Sequence, residues 1–134
     1  MASQNLPNTV NFKVNKSGVI VDHRKITPDA NGIVELTIAQ DNKWEFASNT
    51  GFIPAGYSSW TALTDGNGTF IGVLVEDGQI AFSARTGTSG QDLQLKVTSS
   101  GSAGKEYEYA VLLQSTDDSG TFAFCDPIIV DRGG

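Results

Sequence analysis

The chain has 134 residues, enough for one domain with a core of its own. Hydrophobic residues make up 39% and charged residues 18%, a balance that excludes both a disordered acidic chain and a membrane-embedded one. The formal net charge is -6, and the basic residues are scattered (Lys13, Lys16, Arg24, Lys25, Arg85), so a phosphate backbone, which needs clustered Lys and Arg, is not an expected partner.

In chain order, residues 1–8 lack a basic stretch and an apolar run and read as a flexible tail rather than a secretion signal. Val10, Phe12 and Val14 then alternate with Asn11 and Lys13, the period of a strand with one wet face. Strand-like runs follow at 19–26, 33–39 and 43–48, with Pro28 and Asn31-Gly32 marking a turn between the first two. Segment 49–68, with Gly51, Pro54, Gly56, Gly66 and Gly68, reads as a long loop of the kind that is functional or mobile. Trp60 to Leu63 is a short strand-like stretch inside it. Beyond it, Phe70 to Val75 reads as a buried strand too short to cross a bilayer, and Asp77-Gly78 predicts a type I′ hairpin leading into 79–84.

Alternation returns at Leu93, Leu95 and Val97, and again at Tyr107, Tyr109, Val111 and Leu113, with Glu106 and Glu108 on the opposite face. A Ser/Gly loop at 99–105 separates these two strands, and a last strand is expected over 121–130. Strands every 8–12 residues without a helical pattern predict an all-β fold. The expectation is a single Greek-key-type antiparallel β-sandwich, immunoglobulin-like or cupredoxin-like, filling 1–134 as one domain. The expected compartment is the cytoplasm, provided no leader has been removed.

Three motifs fail on spacing. Asp65, Asn67, Thr69 and Glu76 stand at positions one, three, five and twelve of a calcium loop, but position six is Phe70 where the sharp turn requires Gly. Ser99 to Lys105 echoes a phosphate-binding loop, but Ser99 replaces its first Gly and Glu106 replaces the hydroxyl residue after the lysine. The lone His23 and lone Cys125 could form a nucleophilic dyad, yet the thiol sits between Phe124 and Asp126 with no electropositive setting in view. Glu106/Glu108 and Asp117/Asp118 read as a wet strand face and turn chemistry. No catalytic residue, cofactor or metal ligand set is therefore assigned, and the chain is not expected to be an enzyme.

The stretch Gly51 to Trp60 is the candidate surface. Phe52, Tyr57 and Trp60 on a Gly/Pro-rich loop could form a platform for a protein or a sugar, or could turn inward as core. Trp44 alternates with Phe46 and reads as core. The apolar Ile128, Ile129 and Val130 near the end are expected to form an edge strand open to subunit contact.

Two stretches, Ser17 to Val21 with Ile26-Thr27-Pro28-Asp29, Gly32–Ile38 and Trp44-Glu45-Phe46, and Tyr107 to Val111 with Gly120-Thr121-Phe122 and Asp126 to Val130, cover about half the chain. Together they resemble small bacterial cytosolic β-sandwich proteins of uncharacterised function, and more loosely bacterial inclusion-body proteins. Cupredoxins place a His and usually a Met shortly after the ligating Cys. Residues 126–134 hold neither, so the resemblance implies a copper-free sandwich. The expected function is a non-catalytic protein-interaction or self-assembling module, with a homo-oligomer possible. The alternative is a small carbohydrate-binding module using Tyr57 and Trp60. Neither a nucleic acid nor a membrane is an expected partner.

Overall fold

The computed structural model describes residues 6–15, 18–38, 43–85, 91–117 and 120–133. Its strands are β1 (Thr9–Asn15), β2 (Gly18–Val21), β3 (Lys25–Ile26), β4 (Ile33–Ile38), β5 (Trp44–Phe46), β6 (Thr61–Thr64), β7 (Phe70–Val75), β8 (Ile80–Arg85), β9 (Asp92–Val97), β10 (Glu106–Ser115), β11 (Phe122–Cys125) and β12 (Ile128–Val130). They form two packed sheets, an all-β sandwich as the alternation predicts. The first sheet runs β2-β1-β4-β9-β8, and the second runs β3-β12-β10-β7-β6 with β11 and β5 also on β10. The sheets are mixed rather than purely antiparallel, because β1 lies parallel to β4 and β12 lies parallel to β3.

Period-two burial builds the space between the sheets. Val10 and Phe12, Val34, Leu36 and Ile38, and Leu93, Leu95 and Val97 face Ile71, Val73, Val75, Tyr107, Tyr109, Val111 and Leu113, all buried in one cluster. Strands β7 and β10 are buried on their second face too, where Phe70, Leu74, Ala110 and Leu112 gather with Ala47. What covers that face is segment 49–60, through Ile53, Tyr57 and Trp60, together with Phe122 and Phe124 of β11. The segment folds into two 3-10 turns, Thr50–Phe52 and Ala55–Tyr57, the first capped by the Asn49 side chain, which accepts the Gly51 amide at 2.8 Å.

Three expected elements come out differently. The run 19–26 is two strands in two sheets, because the chain crosses over at Asp22–Arg24. There both Asp22 oxygens bind Asn11, one from its amide at 2.9 Å and one from its side-chain nitrogen at 2.8 Å. The run 121–130 breaks at Asp126-Pro127, since Pro has no N–H for the ladder and restricts the residue before it. Asp77-Gly78 is no hairpin: β7 and β8 belong to different sheets and Gly78 is not left-handed. Within the expected N-terminal tail, Pro7 accepts the Thr27 amide at 2.9 Å and Asn8 accepts the Glu35 amide at 2.8 Å, so these two residues are tied in; residues 1–5 lie outside the described ones.

Strand β10 organises the second sheet. Along one edge it pairs β12 over Glu106–Glu108 and then β11 over 111–114. Along the other it pairs β7 over Tyr109–Val111 and then β5 over Leu113–Ser115. The change from β7 to β5 happens at Leu112, whose carbonyl accepts the Ala47 amide at 2.9 Å.

Candidate functional site

The aromatic segment lies over the outer face of the second sheet. Tyr57 and Trp60 are half-buried and pack on the small outer cluster, while Phe52 is 47% exposed. Neither side of the core-or-platform choice describes them fully. Their neighbours come from β11: Phe52 stacks on Phe122 at 4.1 Å, and Tyr57 meets Phe124 edge-on at 4.7 Å and Trp60 edge-on at 4.6 Å. Alternation along β11 turns Phe122 and Phe124 outward and leaves Ala123 and Cys125 against the main core. The result is a row of five rings on the outer side of the second sheet. At its polar end the Tyr57 hydroxyl donates to Asp126 at 3.3 Å. Burial, then the Asp126 charge, raises the Tyr57 phenol above its ordinary range, so it stays a neutral donor at physiological pH.

Trp44 packs against the main core as its alternation with Phe46 implies. Ile128, Ile129 and Val130 do not form an open edge. Strand β12 is held between β10 and β3, the Ile128 amide donates to the Arg24 carbonyl at 2.9 Å, and the Val130 carbonyl accepts the Thr27 hydroxyl at 2.7 Å. Ile129 is fully buried and Ile128 nearly so. The short β3, made possible by the crossover at Asp22–Arg24, covers the edge that the terminal position suggested would be free.

The charged motifs are used structurally. One Asp65 oxygen accepts the amides of Asn67 at 2.8 Å and Thr69 at 3.1 Å, a turn that leads the chain into β7. Those two bonds hold its carboxyl below the usual carboxylate range. Among the described residues no three His, Cys, Asp or Glu side chains converge in a manner that could hold a metal ion. The loop 99–105 wraps a carboxylate instead of a phosphate. Asp131, 2% exposed, accepts the Ser99 hydroxyl at 2.6 Å, the Ser100 amide at 2.8 Å and hydroxyl at 3.0 Å, the Tyr107 hydroxyl at 2.7 Å and the Gly133 amide at 2.7 Å. Sequence reasoning missed Asp131; its one local signal is a Gly two residues on, the spacing of an Asx turn. Next to it a cleft of about 270 Å³ opens between the β3–β4 connection, the end of β9 and the C-terminal segment.

No hydrogen bond joins Cys125 to His23 among the described residues, and His23 is exposed on the crossover. Burial, then the neighbouring Asp126, pushes the Cys125 thiol up to about 12. A free thiol near 8.5 is therefore ~3 orders of magnitude richer in thiolate at equal pH, and higher intrinsic nucleophilicity of the more basic sulfur recovers part of the gap. The folded protein is expected to react with iodoacetamide at pH 8 about a hundredfold more slowly than the urea-unfolded chain. Comparable rates would show that the thiol is accessible and ionised after all.

No protein-family model and no curated protein sequence matches this chain. No helix among the described residues is long and apolar enough to cross a membrane.

Proposed function

We propose that the protein is a non-catalytic interaction module that associates with a protein surface, in the first instance a second copy of itself, through the ring row of Phe52, Tyr57, Trp60, Phe122 and Phe124. The observation that carries this reading is Phe52: a large apolar side chain 47% exposed, yet held in place by its stack on Phe122. A ring fixed in this way loses little side-chain entropy on contact, which is what makes rigid aromatics effective anchors. Burying the exposed half of one Phe, on the order of 100 Å², is worth about 2 kcal/mol, so a micromolar contact needs the neighbouring rings as well. With β12 enclosed, the ring row takes the place of the terminal edge as the self-assembly surface. The resemblance to small cytosolic sandwich proteins, including the immunoglobulin-like or cupredoxin-like subtype, belongs to this same reading.

The carbohydrate reading is weaker on geometry. Sugar platforms need free ring faces flanked by unspent polar groups, whereas Tyr57 is enclosed by Trp60 and Phe124 and its hydroxyl is already committed to Asp126. Light scattering on a sizing column over a range of concentrations tests both. The expected result is a concentration-dependent oligomer in the wild type that Phe52→Asp abolishes without altering the fold. A monomer at every concentration, with glycan-array binding that Trp60→Ala removes, would overturn the proposal in favour of the carbohydrate module.

A further inference from the structure

The cleft beside Asp131 is distinct from the ring row. Its lining is apolar at Pro28 and Ala30 and carries two cations, Lys96 and Arg132. In a chain of net charge -6, these two cations outnumber the one carboxylate of the lining, Asp131, so the sign is locally reversed. Asp131 also lines it, but its four lone-pair positions already take five donors, so it has no acceptor capacity left for a ligand.

The donors are different. The Lys96 stem lies across Gly32, where a Cβ would come within 3.2 Å of its Cε, and the ammonium gives one hydrogen to the Asn31 carbonyl at 2.8 Å. That contact fixes the ammonium at the rim with two hydrogens unspent. The Arg132 guanidinium, a planar fork of five donors, has no acceptor among the described residues. Beside the Asn31 and Thr98 side chains, the cleft thus offers cationic donors next to the apolar Pro28 and Ala30. At about 270 Å³ the space falls just under the range for drug-sized ligands.

We propose that this cleft binds a small organic oxyanion, a short carboxylic acid or a phosphate ester, with its charged head on Arg132 and Lys96 and its body against Pro28 and Ala30. The geometry suits it because a guanidinium fork matches carboxylate and phosphate oxygens two at a time. Lys96 adds a fixed point charge.

The test is an amide NMR titration of the ¹⁵N-labelled full chain with butyrate, inorganic phosphate and 1-butanol, at constant ionic strength held with chloride. Saturable shifts at Val97, Thr98, Ser99 and Arg132 are expected with an oxyanion and not with butanol. Arg132→Gln should weaken the response about tenfold and Lys96→Gln by a few-fold, with the rest of each spectrum unchanged. Saturation by butyrate alone would assign a carboxylic acid and by phosphate alone a phosphate ester, both in support. Absence of localised shifts with either anion, an equal response to butanol, or an affinity indifferent to Arg132→Gln would overturn the site.

Discussion

Gly72→Ala is expected to destabilise the protein by about 3–5 kcal/mol, from a left-handed backbone penalty of ~1–2 kcal/mol and a backbone clash of comparable or larger size. Gly72 sits in the middle of β7 at φ +83°, where L side chains rarely go. A Cβ there would lie 2.8 Å from the Ala47 amide nitrogen, 2.8 Å from the Leu112 carbonyl oxygen and 3.0 Å from the Phe46 Cβ. Two of these are backbone atoms, so no rotamer change relieves them. They are also the two atoms of the Ala47–Leu112 hydrogen bond, through which β10 exchanges β7 for β5. The pairing of β7 with β10 ends at Val73–Val111, and the bare glycine that comes before it leaves room for the incoming chain, the usual work of a glycine inside a strand. Against a total stability of about 5–15 kcal/mol, such a loss brings a marginal domain close to unfolding at 37 °C. Gly78→Ala is the control: nothing lies within 4 Å of its Cβ position and its φ is ordinary, so an effect within about 0.5 kcal/mol is expected. Urea melts of the two variants give the comparison, and equal midpoints would mean that β10 does not change partners at Leu112.

How much of this was legible beforehand follows from what is local and what is not. Alternation is local, so the inward residues of β1, β9 and β10 could be named from the sequence. Sheet membership is not. Asp77-Gly78 specifies a tight turn but cannot say whether the strands beside it pair, and here they lie in opposite sheets. The 19–26 run reads as one strand despite the polar Asp22-His23-Arg24-Lys25 in it, and the side-chain clasp between Asn11 and Asp22 marks where it divides. Loop 49–68 announced an unusual surface through its glycines and aromatic residues. Its partners Phe122 and Phe124 read only as another alternating strand, since nothing local reveals that their face meets Phe52 and Tyr57. The left-handed Gly72 was hidden inside a continuous apolar run that reads as an ordinary buried strand. Asp131 was hidden more deeply, with Ser99, Ser100 and Tyr107 standing 32, 31 and 24 positions away along the chain.

Asp131→Asn is expected to cost about 2–4 kcal/mol at pH 7, and the loss should shrink as the pH falls below about 4. Side chain and backbone of Asp131 together close the end of the sandwich. Its carbonyl accepts the Gly104 amide at 2.8 Å and its amide donates to the Lys105 carbonyl at 2.7 Å, while the carboxylate gathers loop 99–101, Tyr107 and the C-terminal turn. An asparagine of the same shape places an N–H₂ where one oxygen had been, and the donors facing it lose their acceptor in a buried site. Burial alone would raise the carboxyl, but the bonds from Ser99, Ser100, Tyr107 and Gly133 outweigh it and hold Asp131 well below the usual carboxylate range. A folded-state value below the unfolded one, near 3.9, means that the native state favours the ionised form. This contribution is therefore complete above the unfolded value and is lost as the pH falls toward the folded one. The side-chain amide of the variant cannot titrate, so wild type and variant should converge in acid. Asp22 and Asp65 are also held low, Asp22 by Asn11 bonds that outweigh its burial and Asp65 by its turn amides, and both are present in the two proteins, so they cancel in the difference. Urea melts of both proteins at pH 7, 5 and 3 isolate the term: a gap that stays constant down to pH 3 would show that the cost lies in packing and not in the charge of Asp131.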